Sequence, residues 1–219
     1  MIVTRRALAA ALSPAWLAAL APFAPLYLTG GAMAQTAAVG LVAKPPSLPD
    51  MALGSGKAPV TVVEYASMTC PHCAAFEENV FPVLKSKYID TGKVRFVFRE
   101  FPLDIKAAAA SMLARCIARN DAGKYFGAVN TLFKLQGQLI TETKDTLKLI
   151  GKQAGMTEGA VETCEKDQSL LDKLTADRKF AYETLKVVAT PTFFINGEML
   201  KGAMSFEEID EKIESLSKR

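Results

Sequence analysis

The sequence predicts an α/β fold in two halves, a βαβ unit and a ββα unit, separated by an all-helical insert. Three observations carry that prediction. Residues 60–65 and 94–101 are short runs rich in β-branched and aromatic side chains, and they flank a helical stretch at 71–88. Residues 103–187 show helical periodicity throughout. Residues 192–201 read as strand, Asn196-Gly197 turn and return strand, and Ser205-Phe206-Glu207-Glu208 then opens a last helix as a capping box. With 219 residues, 50% of them hydrophobic and 22% charged, the chain can bury a real core, and no internal repeat divides it.

The elements follow in order. Arg5 and Arg6, an apolar run at 7–28 and Ala32-Met33-Ala34 before Gln35 make residues 1–34 a cleaved export signal. Pro14, Pro22 and Pro25 interrupt the run that an uncleaved anchor would need. Thr4-Arg5-Arg6-Ala7-Leu8 leaves the general and the twin-arginine routes both open. The expected destination is the bacterial periplasm, an oxidising compartment in which cysteines are paired or redox-active. Residues 35–59, with Pro45-Pro46 and Pro49, read as an arm or linker.

Residues 60–102 form the first part of the α/β domain, with the helix at 71–88 kinked near Pro82 and Phe96 and Phe98 on one face of the second strand. A right-handed strand–helix–strand unit of this length puts Cys70 at the carboxyl end of a strand and at the first turn of a helix. In the insert, 103–187, positions such as Met112, Leu113, Phe126, Val129, Leu147, Ile150 and Leu174 are core faces. Residues 188–219 complete the domain. Lys and Arg number 26 against 23 Asp and Glu, or 24 against 23 without Arg5 and Arg6. That balance, without basic runs, argues against a nucleic-acid partner.

Four Cys and one His are too few for a cysteine scaffold, and Cys70 and Cys73 are the close pair. A thiolate at a helix N-terminus is stabilised by unpaired N–H groups and the positive end of the helix dipole, and His72 can add a hydrogen bond or a charge. Pro71 sets φ in the first turn. Stabilising the Cys70 thiolate favours the dithiol over the disulfide, so the Cys70–Cys73 disulfide becomes a strong oxidant of other thiols.

The order Cys-Pro-His-Cys, helical insert, Thr190-Pro191-Thr192-Phe193-Phe194-Ile195-Asn196-Gly197 resembles the DsbA-type thiol oxidases of the thioredoxin superfamily. The resemblance implies a thioredoxin-like fold with an all-helical domain inserted between its βαβ half and its C-terminal ββα half. It implies a cis Pro191 facing the active-site disulfide, with Thr190 presenting backbone to the substrate. It further implies catalysis without a cofactor, reduced unfolded exported proteins as substrates, reoxidation by a DsbB-like quinone-linked membrane oxidase, and a monomer. Glu64, six residues before Cys70, stands where that family keeps a buried carboxylate that relays the proton of Cys73; the other reading is a solvated strand-end charge. Thr190 replaces the valine of the familiar enzymes, which keeps a disulfide isomerase or reductase of the same fold as alternatives. The segment 35–59 is too short for the N-terminal domain through which the isomerases dimerise.

Met68-Thr69-Cys70-Pro71-His72-Cys73 also fits the Met-x-Cys-x-x-Cys pattern of copper(I) carriers, whose soft thiolates select that metal, but such carriers have no use for the Thr-Pro loop. A zinc site would need two further ligands, and no metal is expected. Cys116 and Cys164 lie on apolar faces of predicted helices. They are expected to form a second, structural disulfide, as in DsbA-like proteins with a bond in the insert; otherwise they are two buried small apolar residues. Closing that loop contributes roughly 4 kcal/mol in the chain-entropy model.

Overall fold

The computed structural model describes Val42 and residues 47–217. The export signal read at 1–34 lies outside those described residues. The β-branched runs form strands β2 (Val60–Ala66) and β3 (Val94–Glu100), which pair in parallel from Val60↔Val94 to Ala66↔Glu100. Strand β4 (Thr192–Ile195) runs antiparallel to β2, and β5 (Glu198–Lys201) returns beside β4. Asn196 and Gly197 both have positive φ, 46° and 87°, as the tight hairpin requires. The 35–59 stretch, expected to be an arm or linker, contributes an edge strand, β1 (Met51–Leu53), antiparallel to β3. Three residues are too few for a periodicity to show. The sheet order is β1-β3-β2-β4-β5.

Helix α1 (Pro71–Asn79) follows β2, and α2 (Phe81–Leu84) and a π-helical turn (Lys85–Ile89) follow α1. The expected kink near Pro82 is a break at Val80: proline supplies no N–H, and its ring crowds the carbonyl one turn back. The insert consists of α3 (Ile105–Ala118), α4 (Ala122–Lys134), α5 (Gln136–Thr141), α6 (Thr143–Gln153), α7 (Glu158–Glu165) and α8 (Gln168–Glu183). Asp104, Asp121, Thr157 and Asp167 cap four of these by accepting a backbone N–H, each worth about 1 kcal/mol. Before α9 (Phe206–Ser217), Ser205 N donates to the Glu208 carboxylate and Glu208 N to Ser205 Oγ, the reciprocal capping box.

Alternation along the strands gives the sheet two apolar faces. Val62, Phe96, Phe98 and Phe193 pack with Phe76, Phe126 and Leu132, joining the sheet to α1 and the insert. Val63, Tyr65, Val97, Phe101 and Phe194 pack with Ala181 of α8 and with Leu185 and Val187 just after it. Between sheet and insert the buried Glu100 accepts from Arg115 Nε (2.5 Å), Arg115 Nη2 (2.6 Å) and the Tyr125 hydroxyl (2.5 Å). The next residue, Cys116 of α3, is bonded to Cys164 of α7 with a Cα–Cα distance of 6.3 Å.

Candidate active site

Strand β2 delivers the chain to a tight turn in which Cys70 N donates to Ser67 O at 3.0 Å, and Cys70 is the N-cap of α1 in an extended conformation. Pro71 occupies the first helical position, where no N–H is needed. Pro71 and His72 are exposed, whereas Cys70 is 4% and Cys73 0% exposed. Both cysteines are free thiols here, the reduced state of the site. Cys70 is therefore the more accessible sulfur but not an open one. The Thr190–Pro191 bond is cis, and Cys70 Sγ donates to Thr190 O at 3.2 Å.

The two thiols differ sharply in acidity. Cys70 is lowered from 9.0 to about 5, first by the hydrogen bond from the Cys73 thiol, against the opposing effect of burial. The backbone N–H groups of Cys73 and His72 favour its thiolate as well. Cys73 is pushed up, chiefly by burial and then by its bond to Cys70 and the charge of Glu64. Of the two thiols Cys73 therefore keeps its proton and Cys70 is the one that ionises, giving up its bond to Thr190 O as it does. Sequence reasoning assigned the Cys70 thiolate first to the helix N-terminus and His72; the neighbouring thiol is the larger influence.

Glu64 is 1% exposed and lies opposite Phe98 and Phe193 on the sheet face beneath α1. A solvated strand-end charge is therefore not what this residue is. Burial, then the charges of Glu77 and Cys70, raise its carboxyl well above the usual range and favour its protonated form. That is the state required of a group that gives a proton to Cys73 when its sulfur leaves. Glu77, one helical turn after Cys73, is buried and raised to about 7, mainly by burial; Asn130 and Lys134 of α4 pull it back. It borders a cavity of about 380 Å³ between α1 and α4.

Four contributors were not visible in the sequence as site residues. Gln136 Nε2 donates to Met68 O (2.9 Å) and Cys70 O (3.0 Å), the Thr69 hydroxyl donates to Asp104 Oδ2 (2.7 Å), and Glu77 lies under the site. Asp104 is the N-cap of α3, and nothing in the sequence marks it as a contact of Thr69. Gln136 carries no local signal, being 66 positions from Cys70. Met68, the first residue of the copper-carrier pattern, is 1% exposed and packs in the main core. Among the described residues no group of three or more His, Cys, Asp or Glu could hold a metal ion.

A sheet with a dithiol at a helix start and a cis-proline against it defines a thioredoxin-fold protein built for thiol–disulfide chemistry. A thioredoxin family model matches residues 47–215. Disulfide bond formation protein D of Bacillus subtilis is 30% identical over 168 residues, 74% of each chain. A putative protein-disulfide oxidoreductase of Rickettsia bellii is 37% identical over 150 residues, 68% of this chain. This chain spans only 57% of that relative's length. The crystal structure of Wolbachia pipientis alpha-DsbA1 matches with a TM-score of 0.71 at 32% identity, covering 77% of this chain and 91% of that one. The chain belongs to the thioredoxin family, in its DsbA-type branch.

Proposed function

We propose that the protein is an exported, periplasmic thiol:disulfide oxidase that donates its Cys70–Cys73 disulfide to reduced, unfolded exported proteins. One observation carries the reading: a Cys70 thiolate held by the Cys73 thiol and the start of α1, with the Thr190 backbone beside it. A substrate thiolate attacks Cys70 Sγ, a mixed disulfide forms, and the Cys70–Cys73 bond breaks. Cys73 leaves with the electron pair and takes a proton from Glu64. A second substrate thiolate attacks the substrate sulfur and expels Cys70 as a thiolate. The substrate loses two electrons to the protein, which a DsbB-like, quinone-linked membrane oxidase then takes up. The stabilised thiolate makes Cys70 a good leaving group, which drives transfer toward the substrate.

The test is the equilibrium of the mature protein with glutathione. We expect a potential well above the roughly −270 mV of thioredoxin. A thioredoxin-like value would make the protein a reductase, and efficient rescue of a scrambled multi-disulfide substrate by a stable dimer would make it an isomerase. Recovery in the periplasmic fraction, with a mature chain beginning near Gln35, checks the location.

A further inference from the structure

The helical insert touches every residue of the four-residue turn that delivers Cys70. Ser67 Oγ accepts from Leu103 N at 3.3 Å, and Thr69 Oγ1 donates to Asp104 at 2.7 Å. Gln136 donates to the carbonyls of Met68 and Cys70 at 2.9 and 3.0 Å. The Gln136 contact is unusual for its place in the chain. As the first residue of α5 its amide does not cap its own helix; it crosses to the active-site turn and uses both N–H bonds of one nitrogen there. Cys70 O is also the first acceptor of α1, taking Ala74 N at 3.1 Å, so Gln136 joins the helix bond on the atom that sets where α1 begins.

From this geometry we infer that Gln136 is a positioning residue for the thiol–disulfide reaction. By fixing the Met68 and Cys70 carbonyls it sets the Cys70 sulfur against the start of α1 and the Thr190 backbone, and so tunes how strongly the thiolate is held. The insert thereby reaches into the redox equilibrium without touching either sulfur. The Gln136 amide neutralises two carbonyl dipoles of the turn that carries the sulfur; without it Cys70 O keeps only Ala74 N and Met68 O loses this donor, and the less compensated negative ends disfavour the thiolate. The other charged or titratable groups around the turn are Asp104, the N-cap of α3, Glu64 from β2, and His72, Cys73 and Glu77 from α1, and none of them bonds to these carbonyls.

The inference rests on exchange at Cys70–Cys73 and is tested by a graded series in the mature protein: Gln136→Met, Gln136→Glu and Gln136→Lys. Met keeps the length and loses the donors, Glu replaces donors by a negative charge, and Lys keeps donors and adds a positive charge. The readouts are the ultraviolet titration of the Cys70 thiolate and the equilibrium constant with glutathione, with thermal unfolding of the oxidised form as the structural control. For Gln136→Met we expect an oxidising equilibrium weakened about fivefold, the worth of one net hydrogen bond, and a Cys70 titration moved to higher pH. Gln136→Glu should move both further the same way, and Gln136→Lys should return them to or past the starting values, all without a matching change in unfolding midpoint. Variants indistinguishable from the parent, or shifts that follow lost thermal stability irrespective of charge, overturn the inference. A parent protein that fails to exchange with glutathione would instead remove the redox reading itself, so the two failures are told apart.

Discussion

Glu64 and Glu100 sit on adjacent strands of one sheet, 1% and 5% exposed, and the protein uses them in opposite ways. Glu100 meets the Arg115 guanidinium in a two-pronged pair and takes a third hydrogen bond from Tyr125. Glu64 feels instead the charges of Glu77 and Cys70, and both push its carboxyl toward the neutral form. Burial penalises a charge in either place. Where a cation answers it, the carboxylate ties the sheet to the insert. Where neighbouring acids reinforce it, the carboxyl becomes a store for the proton that Cys73 needs. The lesson is that burial alone does not assign a role to a charged residue, whereas the sign of its neighbours does.

The largest expected effect breaks the structural member of the pair. Arg115→Met leaves Glu100 buried without its cation and should cost about 3–5 kcal/mol, read from the denaturant midpoint of the oxidised protein. A loss under about 1 kcal/mol would mean that Tyr125 suffices for Glu100 and that the contrast between the two sites is false. The second effect breaks the chemical member. Glu64→Gln should slow single-turnover oxidation of a reduced two-cysteine peptide by roughly 10²-fold, the lower end of what a positioned proton donor supplies. A rate within twofold of the parent would take Glu64 out of the mechanism.

Much of this was legible before any coordinates. The strand around Glu64 announces itself by Val60, Val62 and Val63, the hairpin by Asn196-Gly197, and the last helix by the Ser205 box, because each is a local preference of the backbone. Cys70 and Cys73 are legible because their chemistry depends on being three residues apart at a helix start. The two carboxylates were not separable in that way. Glu64 follows four strand residues and Glu100 ends a strand, and nothing nearby in sequence tells that Arg115 pairs with Glu100 and Glu77 acts on Glu64. Gln136 was invisible for the same reason: its partners lie on the other side of a helix-packing interface, and a single glutamine at a helix start looks like a solvated residue. Strand β1 escaped because its three residues pair only through β3, which supplies the register that the sequence lacks.

The smallest expected effect is the pH dependence of stability, and it decides the comparison by sign. A carboxyl raised in the folded chain and free to ionise at 4.5 when unfolded is neutral in both states in acid, where it adds no penalty. As pH rises past 4.5 the unfolded chain gains from ionising before the folded one does, so stability falls until the folded group has ionised too. Glu64→Gln removes that loss. In the oxidised protein, where Cys70 and Cys73 do not titrate, parent and variant should therefore agree in acid and separate above it, with the variant the more stable at neutral and alkaline pH. Glu77, raised to about 7, contributes a slope of the same sign in both proteins, so the quantity to measure is the difference between their unfolding curves across pH. If Glu64 were a matched carboxylate like Glu100, the difference would reverse: replacing it would remove a favourable charge, and the parent would be the more stable protein at neutral pH.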